Sequence, residues 1–492
     1  MAQDLAQETA VAADRVIVAV FDGLRPDLVT PELTPNIMRL AARGTWFREA
    51  RSIFPSVTRV ATTSIATGAP PTVHGVVGNM FYHAGAMPER VFNTGDGEHI
   101  RHVEAHHGGR LVGVDTLGDV LARAGRRLAV VHTGSPGSTH FINPRARANG
   151  HWTFSMLGPA GTQTPETVEE VVARLGPLPE RALPRLAECR HAGRIMAEHV
   201  LPQLRPDVAL VWFNEPDTTF HYKGIGSPEA KAAIAEADRA FGAILDCVEA
   251  QPDGERIAII AASDHGQISA NVAHPLFEEA SAAGFALGLK DELDDAAFVA
   301  TGGRSGEIRV KDADPAALGR IAAWLMEQPA VSHVFSKPRN EVEGEISGTL
   351  SLGLVNNAHA RSPDLMFALA SDLGTDAHGL TGLGIMTPGD VPLGGGMHGG
   401  LNRHELNSLL IVAAPGLGAE VATGPAGIID IAPTVLGLLG LPKAETMQGR
   451  NLARPARQEA VTARHATGTG AFSQHVDVVV EDGRRFILSG GH

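Results

Sequence analysis

The segment VIVAVFDGLRPD (16–27) decides the fold of this chain, because six apolar residues run directly into an aspartate, a glycine and a turn. A strand without a polar face must be covered on both sides, which is typical of strands in a parallel sheet. Four further short runs, rich in β-branched residues, share this character: LAVVH (128–132), VALVWF (208–213), IAIIAA (257–262) and LLIVA (409–413).

Helix-compatible stretches alternate with these runs, at 35–44, 115–125, 188–204 and 227–250. Alternation of apolar strands and helices is the signature of a doubly wound α/β domain. We therefore expect an α/β fold in which helices sandwich a mostly parallel sheet.

Residues 267–395 interrupt the alternation. This region contains a predicted strand (GEIRV), then a predicted helix (PAALGRIAAWLMEQ), and then a second predicted strand (AVSHVF). One more strand is predicted at PDLMFALAS (363–371). We expect a smaller α+β cap subdomain at 267–395, inserted into a main α/β catalytic domain made of 15–266 and 396–492. Residues 1–14 are expected to form a flexible N-terminal segment. GIIDIAPTVLGLLGLP (427–442) predicts a helix.

Charge and composition limit the partners. The 492 residues include 41 Lys and Arg against 55 Asp and Glu, a formal net charge of −14. Binding to a nucleic acid polymer normally needs a basic patch, and the sequence contains no basic run that would supply one. An acidic protein that handles anionic small molecules must neutralise charge locally, and bound metal cations do this.

Cysteine usage and apolar run lengths set further limits. Cys189 and Cys247 are too few for a disulfide framework or a thiolate zinc cluster, and two separate thiols are expected, with one disulfide as the alternative. The apolar runs of four to eight residues are far shorter than the ~20 residues that span a bilayer, so no membrane span is expected. Because residues 1–14 lack a signal-type apolar segment, we expect a cytoplasmic protein, or a periplasmic one if a leader has been removed.

Polar residues come directly after three of the predicted strands. Asp22 follows the first run, Asn214, Glu215 and Asp217 follow VALVWF, and Asp264 with His265 follows IAIIAA. In open α/β sheets, ligands bind at the carboxyl ends of the strands. Carboxylates that meet at one edge would repel one another unless cations lay between them. The sequence therefore predicts a metal site at this edge.

The spacing of the polar residues refines this prediction. Asp217 and His221 are four residues apart and share one face if the segment is helical. His398 lies in Gly-Met-His-Gly-Gly, a loop that could bring an imidazole in from a distant part of the chain. Three aspartates and three histidines suit two divalent ions with mixed oxygen and nitrogen ligands, zinc first, with Mn²⁺ or iron as alternatives.

Thr58 is the candidate nucleophile. It lies in SIFPSVTRVATTSIATG (52–68), where a proline turn is followed by a helix-compatible run. A hydroxyl at a helix N-terminus sits where backbone N–H groups favour an anion. Metal contact would lower the pKa of this hydroxyl and activate a group that is otherwise a poor nucleophile.

Several short segments together resemble the alkaline phosphatase superfamily, and most closely its nucleotide pyrophosphatase/phosphodiesterase branch, with phosphonoacetate hydrolase as a near relative. They occur in the family's order between residue 16 and about residue 452: FDGLRPD (21–27), TPN (34–36), HGVVGN (74–79), DTTFH (217–221), SDHG (263–266) and MHGG (397–400). The resemblance implies an alkaline-phosphatase-like fold and a two-metal hydrolase of small-molecule phosphate esters, first of all a phosphodiesterase.

The resemblance also implies roles for individual residues. Asp217, His221 and His398 would hold one metal ion. Asp22, Asp264 and His265 would hold the second, with Thr58 bound to it. Asn79 would donate a hydrogen bond to a phosphoryl oxygen. Thr58 would attack phosphorus in line, and water would hydrolyse the phosphothreonine intermediate.

Arg59 departs from the pattern of nucleotide-cleaving relatives, which carry an aromatic residue after the nucleophile. A guanidinium pairs with an anion instead of stacking on a base. Arg59 is thus either a substrate clamp or the partner of a nearby carboxylate. A phosphomonoesterase or a phosphonate hydrolase is therefore the alternative function, and a phosphomutase a more distant one.

Other residues have a weaker case. Lys223 and Tyr222 follow His221 and are candidates for substrate contact. Asn214 and Glu215 are expected to support the metal ligands through hydrogen bonds, and His74 to be a buried turn histidine that shapes the loop of Asn79. Four histidines in HIRHVEAHH suggest either a solvated loop or a further metal site: His99, His102, His106 and His107. The oligomeric state stays open, with a homodimer as one option.

Overall fold

The computed structural model describes residues 13–287, 298–299, 303–456 and 458–492. Residues 1–12 of the expected flexible segment lie outside the described residues. The strands, in chain order, are β1 (Arg15–Phe21), β2 (Thr45–Phe47), β3 (Ala50–Arg51), β4 (Met80–Tyr82), β5 (Val91–Asn93), β6 (Leu128–His132), β7 (Trp152–Ser155), β8 (Val208–Phe213), β9 (Ile257–Ala262), β10 (Ile268–Ala273), β11 (Phe298–Val299), β12 (Ser305–Arg309), β13 (Val331–Ser336), β14 (Leu350–Ser351), β15 (Leu365–Leu369), β16 (Ser371–Thr375), β17 (Thr381–Met386), β18 (Gly396–Met397), β19 (Leu410–Ala413), β20 (Glu420–Ala422), β21 (Ala426–Gly427), β22 (Val461–Thr469), β23 (Phe472–Glu481) and β24 (Arg484–Gly491).

The α-helices are α1 (Pro35–Ala41), α2 (Thr58–Thr67), α3 (Pro71–His74), α4 (Gly97–His106), α5 (Leu117–Arg123), α6 (Pro136–Phe141), α7 (Glu166–Leu175), α8 (Leu186–Ile195), α9 (Asp217–Lys223), α10 (Pro228–Glu249), α11 (Leu276–Ala282), α12 (Pro315–Glu327), α13 (Arg403–Leu406) and α14 (Ile431–Leu438). Short 3-10 turns occur at Pro26–Leu28, Pro159–Gly161, Gly254–Arg256, Lys311–Ala313 and Ile428–Asp430. A π-helical segment, Met196–Leu204, continues α8 and contains Pro202, whose missing N–H cannot close a regular helical turn.

The main sheet has the strand order β20–β2–β19–β9–β1–β8–β6–β7. β19 runs antiparallel to both of its neighbours, and the other adjacent pairs in this sheet are parallel. The five predicted apolar runs form β1, β6, β8, β9 and β19. The predicted mostly parallel sheet is therefore confirmed, with LLIVA as the strand of opposite direction.

Alternate side chains of β1 enter two hydrophobic cores, one on each face of the main sheet. The even-numbered residues from Val16 to Val20 share a core with α2, α5 and α14. The odd-numbered residues from Ile17 to Phe21 share a core with α1, α8 and α10. Each of these side chains is at most 1% exposed, and full burial of each one other than Ala19 stabilises the fold by about 1.5–3 kcal/mol. Helices on both faces thus explain why residues 16–21 of this strand include no polar side chain.

β1 is central to the position of the site. It pairs in parallel with β8 on one side and with β9 on the other, so that Phe21 lies opposite Phe213 and Val20 opposite Ala262. The carboxyl ends of these three strands therefore coincide at one edge of the sheet.

The region at 267–395 contains the four elements predicted for it, which appear as β12, α12, β13 and β15. Two smaller sheets are present, with strand orders β16–β17–β10–β18 and β11–β12–β15–β13–β14. The division of the chain at 267 and 395 stays a prediction.

The last strands of the chain form a three-stranded antiparallel sheet, β22–β23–β24, that the sequence did not predict. Gln474 on β23 accepts a hydrogen bond from the backbone of Val334 and donates one back, which joins this sheet to β13.

Cys189 and Cys247 are both free thiols, as expected. Among the described helices, none is long and apolar enough to cross a membrane.

Candidate metal centre

The polar residues predicted at the strand ends come together at the carboxyl edge of the main sheet. Asp22 follows β1, and Asp264 with His265 follows β9. α9 begins at Asp217, shortly after β8. Two groups of ligand atoms each lie within 4.8 Å of one another: Asp217, His221 and His398, and Asp22, Asp217 and His265.

The first group is built around one carboxylate oxygen. His221 Nε2 lies 3.4 Å and His398 Nε2 3.5 Å from Asp217 Oδ1. The other ring nitrogen of each histidine faces a backbone carbonyl: His221 Nδ1 is 2.6 Å from Gly396 O, and His398 Nδ1 is 2.7 Å from Ser56 O. Because Nδ1–H donates to these carbonyls, each Nε2 lone pair points at the centre.

The second group is built around His265 Nε2. This nitrogen lies 3.7 Å from Asp22 Oδ1 and 3.2 Å from Thr58 Oγ1, and it also lies 3.2 Å from Oδ2 of Asp264, which adjoins the group without being one of its three members. Its ring stacks on His398, with 3.8 Å between the centroids, so the two groups are in direct contact. The structure thus brings Thr58 to the side of the centre where the sequence expected it.

Each of two buried aspartates has one anchored oxygen and one without a partner. Asp22 Oδ2 accepts hydrogen bonds from Trp212 Nε1 (2.9 Å) and Asn214 Nδ2 (3.0 Å), and Asp264 Oδ1 accepts from the N–H groups of Gly23 and His265, both at 3.0 Å. Within the part of the chain that the structure describes, Asp22 Oδ1 and Asp264 Oδ2 have no hydrogen-bond partner although both are buried. Unpaired buried carboxylate oxygens beside imidazole nitrogens are the donor set that fits divalent cations.

The electrostatics of the protein alone indicate the same need for positive charge. Burial, together with the neighbouring Asp264 and Asp217 carboxylates, raises the pKa of Asp22 well above its usual range. Burial also raises the pKa of Asp264. Burial lowers the pKa of both His265 and His398 to about 4, so both rings are neutral at pH 7, the form that binds metals.

Asp217 differs from the other two aspartates. Burial alone would raise its pKa, but His221 and His398 lower it below the usual aspartate value. Gln267 Nε2 also donates to Asp217 Oδ1 at 2.5 Å. This carboxylate is therefore the most strongly ionised of the three and lies within reach of both ligand groups.

Asn79 and Arg59 are tied together at the start of α2. The Arg59 N–H donates to Asn79 Oδ1 at 3.1 Å, and Arg59 Nε donates to Thr94 Oγ1 at 2.8 Å. The Thr94 hydroxyl in turn donates to Asn79 O at 2.6 Å. With Oδ1 accepting a backbone hydrogen bond, the Asn79 side-chain NH₂ is the group left as a donor.

Of the two roles considered for Arg59, the carboxylate partner is not found. Among the described residues, Arg59 forms no ion pair with a carboxylate. Burial lowers its pKa to about 10, against the opposing effect of Asp22 and Asp217, so the guanidinium is charged at neutral pH. A half-buried cation beside the centre, with no acidic partner among the described residues, favours the substrate-clamp interpretation.

The remaining expectations have mixed outcomes. His74 is buried, with Nε2 2.9 Å from Ser64 Oγ, and accepts the Val76 N–H on Nδ1, so its predicted role in shaping the loop is confirmed. Asn214 donates a hydrogen bond to Asp22, as predicted. Glu215 was predicted to support a metal ligand, but its carboxylate instead accepts hydrogen bonds from the backbone N–H groups of Arg185 and Thr219.

Lys223 is exposed at the end of α9, and its contact with substrate stays a prediction. The Tyr222 hydroxyl donates a hydrogen bond to the Asp390 carboxylate.

The histidine-rich segment is not the loop that the sequence suggested. It forms α4, which buries Ile100 and Val103, because these apolar residues are three apart and share one helical face. The four histidines belong to neither group of candidate ligands among the described residues. His107 Nε2 instead lies 2.7 Å from His83 Nε2.

Sequence reasoning missed three residues around the centre. Gln267 directly follows SDHG and could have been noticed from this position, whereas Trp212 reads as an ordinary strand residue. Glu307 on β12 is 1% exposed and packs against Gly78, where an added Cβ would lie 2.8 Å from Glu307 Oε1. Gly78 immediately precedes Asn79, so this buried acid borders the loop of a predicted substrate ligand.

Comparison with solved structures identifies the fold. The murine ectonucleotide pyrophosphatase/phosphodiesterase 5 superimposes with a TM-score of 0.60 at 15% identity for an inactive variant in complex with AMP, covering 88% of this chain and 96% of that one. A second structure of the same murine protein gives a TM-score of 0.61. The fold is therefore the alkaline-phosphatase-like α/β fold.

The family follows from the sequence comparison. The model of the family Type I phosphodiesterase / nucleotide pyrophosphatase matches residues 16–380, and the chain belongs to this family. The matched range contains Thr58 and the candidate ligands except His398.

Curated relatives match over part of their length. Ectonucleotide pyrophosphatase/phosphodiesterase family member 7 of Homo sapiens is 23% identical over 253 residues, which are 51% of this chain and 48% of that protein. Venom phosphodiesterase of Macrovipera lebetinus is 25% identical over 263 residues, 52% of this chain and 26% of that protein. The match thus spans about half or less of the length of these relatives.

Proposed function

We propose that this chain is a hydrolase of small-molecule phosphate esters, first of all a phosphodiesterase, which uses two divalent metal ions and Thr58 as its covalent nucleophile. The observation that carries this proposal is the convergence of unpartnered carboxylate oxygens and imidazole nitrogens beside the Thr58 hydroxyl. Membership of the Type I phosphodiesterase / nucleotide pyrophosphatase family supports the same reaction class.

Two sets of side chains would hold the ions. The first set is Asp217, His221 and His398, and the second is Asp22, Asp264 and His265. Bound divalent cations would supply Lewis-acid stabilisation of the negative charge that develops on the reacting oxygens. Zinc suits this mixture of oxygen and nitrogen donors, with Mn²⁺ or iron as alternatives.

Thr58 would act as the nucleophile. Its hydroxyl is at the first position of the ten-residue helix α2, where free backbone N–H groups favour negative charge. The Thr58 Oγ–P bond would form while the bond from phosphorus to the leaving oxygen breaks, and the threonine proton would end on the leaving alcohol. One water would then cleave the phosphothreonine, restoring the Thr58 hydroxyl and releasing a phosphomonoester from a diester substrate.

Asn79 and Arg59 would bind the substrate. The Asn79 amide, held through its Oδ1, would donate to a phosphoryl oxygen. Arg59 is fixed by Thr94 with its charge intact, so it would attract a further negative group on the substrate. Preorganised donors of this kind need little rearrangement during the reaction.

The same arginine supports a second candidate function. A half-buried guanidinium that has no carboxylate partner among the described residues suits a phosphomonoester or a carboxylated phosphonate better than a singly charged diester. A phosphomonoesterase or phosphonate hydrolase on this scaffold is therefore the alternative.

A side-by-side rate comparison tests the proposal. The zinc-loaded protein would be assayed with aryl diester, monoester, phosphonate and sulfate substrates. We expect the diester to give the highest kcat/KM, while a monoester or phosphonate optimum would select the alternative. A sulfate optimum, or no turnover of the three phosphorus substrates, would overturn the proposed reaction class. Product analysis in ¹⁸O-labelled water separates a hydrolase, which places the label in the phosphorus product, from a phosphomutase, which does not.

A further inference from the structure

A fully buried ion pair links the region at 267–395 to the loop that carries His398. Arg304 precedes β12, and its Nε and Nη2 atoms lie 3.3 Å from Glu405 Oε1 and Oε2 respectively. Both side chains are 0% exposed. A bidentate arginine–carboxylate pair of this kind fixes orientation as well as distance.

Arg304 is held firmly by its own surroundings. Its Nη1 donates to the backbone carbonyl of Ala370, at 2.9 Å, and to that of Ile385. These carbonyls belong to the segments that lead into β16 and through β17. The guanidinium therefore presents a fixed face to Glu405.

Glu405 in turn holds the backbone on either side of the candidate centre. Its Oε1 accepts the Gly400 N–H at 2.8 Å, and its Oε2 accepts the Asn402 N–H at 3.2 Å. Its backbone carbonyl accepts the Gly266 N–H at 2.9 Å. Gly400 is two residues after His398, and Gly266 directly follows His265.

Two glycines leave the space that the pair occupies. A Cβ at Gly384 would lie 2.7 Å from Arg304 Cζ, and a Cβ at Gly400 would lie 2.8 Å from Glu405 Oε2. Neither glycine adopts a positive φ angle, so the requirement at these positions is for room. Any larger residue at Gly400 would push directly on the carboxylate.

The opposite side of the same loop is held by Ser56. The His398 ring donates to Ser56 O, and the Gly399 N–H donates to Ser56 Oγ at 3.1 Å. Ser56 therefore fixes the ring, while Glu405 fixes the backbone that follows it.

We propose that the Arg304–Glu405 pair is a positioning device that fixes the loop of His398 and thereby sets the metal affinity of that half of the centre. The inference rests on the proposed function for its metal readout. Removal of Arg304 would leave a buried carboxylate without its countercharge, which destabilises its environment strongly. Loss of partners that orient metal ligands typically weakens metal binding about 10–100-fold.

The first experiment compares Zn²⁺ affinities by competition with a chromophoric chelator. Arg304→Met should weaken one of the two Zn²⁺ sites about 10–100-fold and leave the other within about threefold. Arg484→Met is the matched control, because Arg484 forms a similarly buried pair with Asp430 that, among the described residues, makes no hydrogen bond to the loop of His398. This control should lose thermal stability without any change in either affinity.

A double variant separates positioning from mere structural support. In Arg304→Met/Glu405→Met neither charge is buried alone, so thermal stability should recover relative to Arg304→Met. The weak Zn²⁺ affinity should persist, because the Gly400 and Asn402 N–H groups still lack their acceptor. Recovery of affinity together with stability would overturn the proposal, as would equal weakening of both Zn²⁺ sites in a folded Arg304→Met.

A second readout does not need metal. The ¹³Cε1–H resonance of His398, assigned with His398→Gln, reports the ring that stacks on His265 in the metal-free protein. It should shift in Arg304→Met and stay unchanged in Arg484→Met, and an unchanged resonance in both would refute the positioning role. If the wild type bound no Zn²⁺, the proposed function would fail, and this resonance would still decide the role of the pair.

Discussion

Glu307→Gln should stabilise the folded chain at alkaline pH and change it little at pH 5. Glu307 is buried on β12, and neither of its carboxyl oxygens has a hydrogen-bond partner among the described residues. Burial raises its pKa from 4.5 to about 8, with Arg309 acting in the opposite direction. The folded chain therefore carries this group as the neutral acid at pH 7.

The sign of the effect follows from proton binding. Between pH 4.5 and 8 the folded chain keeps the Glu307 proton and the unfolded chain releases it, so the free energy of unfolding falls as the pH rises through this window. The difference between 4.5 and about 8 corresponds to about 5 kcal/mol. About 4 kcal/mol of this develops between pH 5 and pH 9. Glutamine is neutral throughout and avoids the loss.

Urea unfolding of the metal-free wild type and variant at pH 5 and pH 9 measures this difference. The stability of Glu307→Gln relative to the wild type should increase by about 4 kcal/mol between the two pH values. Glu229→Gln, at an exposed position on α10, should show a change of less than about 0.5 kcal/mol. An equal effect of Glu307→Gln at both pH values would refute the reasoning, because it would mean that the folded chain does not hold the proton.

Three further predictions concern the centre itself. Thr58→Ala should lower turnover about 10⁴-fold or more, while the metal content stays at about two ions per chain. The control variant Thr67→Ala, on the same helix, should keep its activity. An active Thr58→Ala would exclude Thr58 as the nucleophile. Asp264→Asn should reduce the metal content, measured by elemental analysis, to about one ion per chain. The control variant Asp238→Asn changes a buried aspartate that caps α1, and it should leave the metal content unchanged. Equal metal content in both variants would count against the ligand set. Arg59→Ala should lower kcat/KM for monoesters and carboxylated phosphonates about 10–100-fold more than for diesters, and an equal loss on both would remove its proposed role.

The sequence predicted those elements whose residue pattern is visible within a single short segment. Residues 16–21 of β1, and all of β8 and β9, are apolar because both faces of these strands are covered, so each run stands out from its neighbours. Asp217 and His221 are four residues apart on one short helix, and their shared face follows from helical geometry.

Other elements carry no such local signal. β22 alternates exposed and half-buried residues without a run of apolar side chains, and its place is set by pairing with β23 and by contacts of that strand to β13. In α4, three histidines obscure the helical pattern of two buried apolar residues. Tertiary contacts decide both cases.

The same distinction applies to the centre. His398 was predicted from its glycine-rich loop and from the family resemblance, but what holds that loop, Ser56 on one side and Glu405 on the other, depends on contacts across the fold. Trp212 was missed because a tryptophan within an apolar strand looks like a core residue. Only the structure shows that its indole N–H donates a hydrogen bond to Asp22.

Anomalous diffraction from crystals of the zinc-loaded protein tests the central claim most directly. Data collected on both sides of the zinc edge should give two peaks, one in contact with Asp217, His221 and His398 and one in contact with Asp22, Asp264 and His265 beside Thr58 Oγ1. The absence of anomalous density at these side chains in crystals grown with excess zinc would contradict the account.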